Sequence, residues 1–381
     1  MARVARLFSV AWLLVMLGPG LLAVLLLVVA ATWRGHLFAV VAIGIVATPL
    51  VAFRFVVTRT RAWRVGALVM FVATITGLVA LIAAVPTPRA PAETGAFSVF
   101  PSGTPRLALT TLLPEFDQLV LGSHLVAFTD PYLTATSAAH LRQLFVNVYR
   151  PMLEDPQFAT LPTQLGEAFS VSSTGQRFVY VPAHAAGERL PCVVFLHGSG
   201  GNFQGYLWVW KSLADAGHFV VVAPGFGFGN WHRPGGVEAV EAARREALAT
   251  LPVDPERFVL AGLSNGGRGV MRAVENDEAR VWKAVVLLSA VVDVDPTEAR
   301  WRDRPVLLVH GLRDDRISEK WFRLAEASFT EVGAKLTAKA DPDEDHFLIF
   351  SRRDELADWV LAFLRLQPGF DPEHGNREAD R

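Results

Sequence analysis

The stretch Phe258-Val-Leu-Ala-Gly-Leu-Ser264-Asn-Gly-Gly267 is a short apolar run that breaks into Gly-x-Ser-x-Gly. Apolar residues on both alternating sides are what a strand buried between two layers requires. The residues beyond the break, Gly267–Glu275, read as a helix. A turn that passes straight from strand to helix holds its serine in a strained backbone conformation and lifts the hydroxyl above the sheet edge. Strand and helix nearly touch there, so the positions two before and two after the serine have no room for a side chain. They are Gly262 and Gly266. The start of the helix also turns the Asn265 N–H toward the place where an oxyanion would form beside Ser264.

The same rhythm extends to either side. Phe178–Val181, Cys192–Leu196, Phe219–Ala223, Ala284–Leu288 and Pro305–Val309 are short β-branched or aromatic runs. Gly236–Thr250 and Lys320–Val332 read as helices between the later ones, and Leu356, Trp359, Val360, Phe363 and Leu364 mark a terminal helix. Strands of this kind alternating with helices predict an α/β domain, a mostly parallel sheet covered on both faces.

A serine hydroxyl is a poor nucleophile until a base takes its proton, and the base needs an acid to orient it. Both follow downstream. Asp314 stands in a polar turn after His310-Gly311; Asp315 beside it is the competitor, its other role being a solvated turn residue or a helix cap. His346 lies in Asp341-Pro-Asp-Glu-Asp-His346-Phe, a loop between the last short strand and the terminal helix. Of ten histidines it alone follows the acid in such a loop; His374 is in a polar tail, and His197 and His310 stand at strand ends, where structural hydrogen bonding is the default. The second oxyanion donor is expected in the turn His197-Gly-Ser-Gly-Gly-Asn202, Ser199 N–H first and Gly200 N–H second. In Gly225-Phe-Gly-Phe-Gly-Asn-Trp231-His232, the residues Phe226, Phe228 and Trp231 suit an apolar substrate wall, with Asn230 or His232 for polar groups. The same aromatic rings would serve equally to pin a glycine-rich loop. Neither glycine-rich turn completes a nucleotide-binding pattern, no Cys/His cluster has metal-ligand spacing, and the lone Cys192 reads as a buried structural thiol.

The front of the chain is different in kind. Of 381 residues 51% are hydrophobic and 19% charged, below the roughly 25% charge usual in soluble domains. From Met1 to Ala92 there are eight arginines and no acidic residue; the first is Glu93. Leu7–Trp33, Leu37–Phe53 and Val65–Val85 are uncharged, and the second reaches adequate length if Arg54 snorkels and Phe55–Val57 are included. Three spans follow, with Gly18 and Gly20 placed to ease helix packing. Ionisable residues are absent from the apolar stretches, so the spans read as an anchor. Arg3 and Arg6 precede the first span, and Arg54, Arg59, Arg61 and Arg64 lie between the second and third, against Arg34 alone between the first two. Cytoplasmic loops keep the arginine excess, which puts the N-terminus inside and the chain from Pro86 outside. The domains read as an anchor over 1–85, a Pro-rich linker over 86–109, a helical preamble or cap over 110–175, a catalytic domain over 176–367 and a polar tail over 368–381. Within the preamble, Leu141, Leu144, Phe145 and Val148 share one helical face beginning after Ser137.

From about Gln176 to Leu366 the chain resembles an α/β-hydrolase: HGSGGN, GLSNGG, HGLRDD and EDHF stand in that family's order and strand context. The likeness is to the esterase, dienelactone-hydrolase-like and prolyl-oligopeptidase-like branches. It implies an eight-stranded, mostly parallel sheet and a Ser-His-Asp serine hydrolase that needs no cofactor, with Ser264, His346 and Asp314 as the triad and Asn265 and Ser199 at the oxyanion. A carboxylic ester is the expected substrate, since no propeller-sized segment precedes the domain here. The alternatives are a prolyl-oligopeptidase-like peptidase acting on short peptides and a non-catalytic anchored binding module. The expected partners are a small or short acyl substrate and the lipid bilayer; the arginine clusters sit beside the spans and do not point to nucleic acid. An Arg-, Ala- and Val-rich chain with few lysines suits a bacterial source, which makes the bilayer the inner membrane and the outside periplasmic.

Overall fold

The computed structural model describes residues 2–85, 94–100, 112–132, 134–161 and 177–370. The chain divides into two compact units, Met1–Pro86 with Pro105–Phe145 and Thr87–Thr104 with Val146–Arg381.

In the first unit α1 (Ala2–Val29), α2 (Trp33–Thr58) and α3 (Arg61–Ala83) are each long and apolar enough to cross a membrane. The second is longer than its uncharged run. It continues through Pro49 and Arg54, and it takes in Arg34, expected between the first two spans, together with His36. Only Arg59, in the left-handed conformation at φ 56°, and Thr60 separate α2 from α3, so the arginines cluster on helix ends and not in an open loop. The close packing is also elsewhere than expected. An added Cβ at Gly18 would meet nothing and one at Gly20 would rest 3.7 Å from Val46, whereas one at Gly44 would strike Thr74 and one at Gly77 would strike Val41. The Trp12 Nε1–H donates to the Val46 carbonyl at 2.9 Å, tying α1 to α2.

The chain then returns to the end where α1 meets α2. There α4 (Glu115–Thr129) presents Asp117, wholly buried. Its Oδ1 accepts from the N–H groups of Ala31 and Thr32 at 2.7 and 3.1 Å, and its Oδ2 from the Thr32 hydroxyl at 2.5 Å. Thr32 Oγ1 in turn accepts from Gly35 N–H at 3.1 Å, capping α2, whose first N–H groups have no partner within the helix. A Cβ on Gly35 would lie 2.4 Å from Asp117 Cγ, so glycine is what lets the carboxylate in. Leu112 packs with Val41, Leu81 and Val85, and Leu113 with Leu26 and Ala39. Next, α5 (Ala135–Glu154) buries Leu141, Leu144, Phe145 and Val148, the face its spacing predicts.

The second unit is built on one eight-stranded sheet: β1 (Phe97–Phe100), β2 (Arg177–Tyr180), β3 (Leu190–Leu196), β4 (Val220–Pro224), β5 (Val253–Leu263), β6 (Trp282–Leu288), β7 (Pro305–Gly311) and β8 (Lys335–Asp341). Their order is β1-β2-β4-β3-β5-β6-β7-β8; β2 runs antiparallel to both its neighbours and every other pairing is parallel. This is the α/β-hydrolase fold. The two middle strands, β3 and the second half of β5, are buried along their whole length. Between and after them run α6 (Pro156–Thr160), α7 (Gln204–Gly217), α8 (Gly236–Thr250), α9 (Gly266–Glu275), α10 (Glu298–Trp301), α11 (Glu319–Glu331), α12 (Leu348–Ser351) and α13 (Arg353–Arg365). Helices α8, α9 and α11 share a core with the sheet through Val240, Ala243, Val270, Met271, Phe322 and Phe329, while α7 packs with α13.

Two boundaries differ from the sequence reading. Phe97–Phe100, inside the supposed linker, is strand β1, with Phe97 N–H donating to Gln157 Oε1 at 3.0 Å and its ring 5.3 Å from that of Phe158. The prolines at 86, 88 and 91 lie outside the described residues. The preamble is also no separate cap: from Val146 on it belongs to the sheet unit, where the Tyr149 hydroxyl accepts from Gly205 N–H at 3.2 Å. Gly205 makes that contact possible, since an added Cβ would lie 3.1 Å from the Tyr149 ring. Helix α7 went unread although Leu207, Trp210, Leu213 and Ala214 mark its buried side.

At the start of β6 and β7 a buried pair clips the sheet. Asp277 accepts from Val281 and Trp282 N–H at 2.8 and 3.1 Å and faces Arg304, 1% exposed, at 3.4 Å. The guanidinium also donates to the carbonyls of Arg300 and Trp282. Removing one member strands the other charge in the core, which costs about 3–5 kcal/mol. Asp277→Ala should therefore unfold at markedly lower denaturant than wild type in detergent; an unchanged midpoint would show that the pair contributes nothing.

Candidate active site

Ser264 sits at the tip of β5 with φ 52°, in the left-handed region that side chains avoid. Its N–H donates to Leu288 O at 3.0 Å, and its own carbonyl accepts from Gly267 and Val291 N–H at 3.0 and 2.9 Å, so sheet and helix hold it from both sides. The two flanking glycines are required. A Cβ on Gly262 would come within 2.7 Å of Val270 and 2.8 Å of the Gly266 backbone; one on Gly266 would be 2.1 Å from Leu196 O. The chain crosses from β3 outward to β4 and back across to β5, so Ser264 stands at the carboxyl edge where the strand order reverses, the usual ligand crevice of such sheets.

His346 comes from the loop after β8. Its Nε2 lies 3.0 Å from Ser264 Oγ, and its Nδ1–H donates to Asp314 Oδ2 at 2.7 Å. Of the two acids left open by the sequence, Asp314 is 2% exposed and faces the imidazole, while Asp315 is exposed. Asp314 Oδ1 accepts from Arg316 and Ile317 N–H, both at 2.8 Å, leaving Oδ2 for the histidine. Burial raises the pKa of this carboxyl, but the hydrogen bond and charge of His346, the Ile317 N–H and His310 outweigh it and hold the group below the usual carboxylate range. The acidic neighbours of His346 are occupied elsewhere: Asp343 pairs with Arg313 at 2.7 Å and Glu344 with Arg352 at 2.9 Å. Asp345 accepts from Phe347 N–H at 2.8 Å.

Gly311 was passed over in the sequence and belongs to this machinery. An added Cβ would lie 2.4 Å from Glu344 O and 2.5 Å from Asp345 O, so its lack of a side chain lets the histidine loop lean onto the end of β7. The signal was the glycine just before the acid turn. His310 secures the same turn: its Nε2–H donates to Ile317 O at 2.8 Å and its ring stacks on Phe322 at 5.3 Å.

The turn after β3 brings Ser199 beside this group. Gly198 lets it in, because a Cβ there would lie 3.1 Å from Ser264 Cβ. The Gly200 N–H donates to Phe228 O at 3.2 Å. Among the described residues the Ser199 and Asn265 N–H groups have no acceptor, which favours the first choice over the second. The Asn265 side chain has a part of its own: its Nδ2–H donates to Ser199 Oγ at 2.7 Å, bridging the two loops that carry these amides. Asn202, also unforeseen, donates to Ala223 and Pro224 O at 3.0 and 2.9 Å and fixes the turn against β4.

The expected apolar wall is corrected in two members. Phe226 and Trp231 are 1% and 0% exposed and stack on each other at 5.4 Å, with Trp231 Nε1–H donating to His197 O at 2.9 Å. They pin the loop from beneath, because a glycine-rich segment folds back only if something apolar fills its inner side. Phe228 is 48% exposed and remains available at the surface. Exposed His232 lies 3.4 Å from the Arg268 guanidinium. Cys192 is buried mid-strand, and burial pushes its thiol pKa up. Among the described residues no group of three or more His, Cys, Asp and Glu could hold a metal ion.

No protein-family model and no curated protein matches the chain. Solved structures do resemble it. They include an esterase from Rhizomucor miehei, 16% identical over 50% of this chain and 78% of that one with a TM-score of 0.43. A Pyrobaculum calidifontis esterase is 19% identical over 50% and 80%, with a TM-score of 0.43. A Pyrococcus horikoshii acylaminoacyl peptidase is 15% identical over 51% and 40%, with a TM-score of 0.43.

His197 joins the loops under the site. Its Nδ1–H donates to Gly198 O at 2.7 Å and its Nε2 accepts from Phe226 N–H at 3.1 Å, an arrangement open only to the neutral ring. Burial takes its pKa from 6.5 down to about 4, against the pull of the Gly198 carbonyl. The unfolded chain thus takes up a proton near pH 6.5 that the folded protein refuses until about pH 4. Stability from this group is whole above that window and is lost as the pH falls through it. The unfolding midpoint in detergent should fall on acidification from 6.5 toward 4, and less steeply in His197→Asn. Equal slopes in the two proteins would remove His197 from the account.

Proposed function

We propose that the protein is a membrane-anchored serine hydrolase that cleaves an acyl bond, most readily a carboxylic ester, through Ser264, His346 and Asp314. The observation that carries this reading is the unbroken relay from Ser264 Oγ to His346 Nε2 at 3.0 Å and from His346 Nδ1 to Asp314 at 2.7 Å, with the serine on a strained turn.

The geometry supports the following course. Ser264 Oγ attacks the carbonyl carbon as His346 Nε2 accepts its proton. Asp314, held ionised, fixes the Nδ1–H tautomer and stabilises the imidazolium that forms. The tetrahedral oxyanion accepts from the Asn265 and Ser199 N–H groups. Donors set in place before the charge develops need no reorganisation, and each is worth about 3 kcal/mol of barrier. On collapse the alkoxide leaves with the proton from His346 Nε2. Water, deprotonated by the same nitrogen, then attacks the acyl-enzyme and releases the acid. Phe228, at the surface beside the Gly200 turn, gives the substrate an apolar contact. The anchor part rests on the three apolar helices, and the one-sided arginines support a catalytic unit outside the cytoplasm, on the periplasmic side of a bacterial inner membrane.

A fluorophosphonate probe should label the intact protein and not Ser264→Ala; labelling of both, or of neither, overturns the reading. Asp314→Asn keeps the shape but loses the charge, and its kcat should fall by about 10^4 with a much smaller change in KM. Paired ester and peptide-anilide reporters decide the bond class, and faster turnover of the anilide would turn the assignment to a peptidase. Alkaline carbonate should leave the protein in the membrane pellet.

A further inference from the structure

The anchor unit holds a helix that the three spans do not account for. In α4 both acidic residues lie in the first turn and are buried, Glu115 at 2% and Asp117 at 0% exposure. From Gln118 to Thr129 there is no Lys, Arg, Asp or Glu. The side chains of this stretch are mostly apolar, with Gln118, Ser123 and His124 among the polar ones: Val120 is buried, Leu119, Leu121, Leu125 and Val126 are half-buried, and Phe128 is 87% exposed. An uncharged, mostly apolar helix that leaves a ring such as Phe128 this exposed belongs against a core or at a membrane surface, not in open water. Its 15 residues make a rod of about 22 Å, too short to cross a hydrocarbon core of about 30 Å.

Its position is set by contacts within the same unit. Asp117 is bonded to Ala31 and Thr32 at the α1–α2 junction. One turn on, Leu121 packs against the cluster of Leu26, Ala39 and Leu113. The helix therefore starts at one end of the bundle, level with the last turn of α1. Trp33, 65% exposed, stands at the same end, where amphipathic rings mark a membrane interface.

We propose that α4 is an in-plane membrane helix whose exposed side, at Gly122 and Phe128, is immersed at the boundary of headgroups and acyl chains. The occupant of that face is lipid. The proposal rests on the anchor reading and extends it from three spanning helices to a fourth, surface-lying one. Asp117 ties this helix to the bundle.

The test uses the full chain in proteoliposomes with a nitroxide on Phe128→Cys. Cys192 is 0% exposed, so the reagent meets only the introduced thiol. Val72→Cys, on the exposed side of α3, is the lipid reference and Trp321→Cys, on α11, the water reference; the native side chains are 53% and 56% exposed. The ratio of oxygen to nickel-chelate accessibility at 128 should match that at 72 and exceed that at 321 several-fold. Gly122→Cys, where an added Cβ meets nothing, serves as a second position should Phe128→Cys fail to fold. A water-like ratio at 128 and 122 with a lipid-like one at 72 overturns this proposal alone. Low accessibility to both reagents, the sign of a protein contact, overturns it too. A water-like ratio at 72 overturns the anchor reading and this proposal with it.

Discussion

A Cβ on Gly266 would lie 2.1 Å from the Leu196 carbonyl oxygen, and one on Gly262 2.8 Å from Gly266 itself. The ends of β3, β5 and the start of α9 meet with nothing between them but backbone. That closeness obliges the connecting residue to turn sharply, and Ser264 does so at φ 52°. Strain of this kind costs about 1–3 kcal/mol and survives only where the surroundings over-determine it. Here they do, because β3 and the second half of β5 are buried throughout. The same approach brings Asn265 within hydrogen-bond reach of Ser199.

The other two members of the proposed relay come from separate loops, and a second close approach joins them. The parallel register sets Gly311 opposite Asp341, and the missing side chain at Gly311 admits the backbone of residues 344 and 345. His346 is carried with them onto Asp314. Three histidines thus take different parts. His197 and His310 are buried, lowered in pKa by that burial, and bonded to backbone carbonyls, so they hold turns in place. His346 alone stands between an acid and a hydroxyl.

The unit of three long apolar helices uses a different balance. Its helices expose leucine, valine and phenylalanine along their sides, so specificity within the bundle falls to small residues and to polar groups at the ends. Gly44 and Gly77 bring α2 and α3 together, and Asp117 completes the cap of α2 from another helix. A buried carboxylate is tolerated there because its two oxygens accept three hydrogen bonds.

The geometry of the candidate site was legible in the chain wherever a local rule governs it. The apolar run before Gly262-x-Ser264-x-Gly266 announces a strand, a bend and a helix, because steric exclusion acts over a few residues. The three apolar runs announce helices long enough to cross a bilayer, because bilayer thickness sets a length. That Asp314, preferred over Asp315, faces His346 rested on spacing alone, and neither the inward turn of Phe226 and Trp231 nor the edge strand Phe97–Phe100 was legible. Each of those depends on a partner distant in sequence: Asp314 on a loop 32 residues away, Trp231 on a carbonyl 34 residues back, and β1 on Phe178 and its neighbours. Local sterics are written in neighbouring letters, whereas burial and pairing exist only once the whole chain has closed around them.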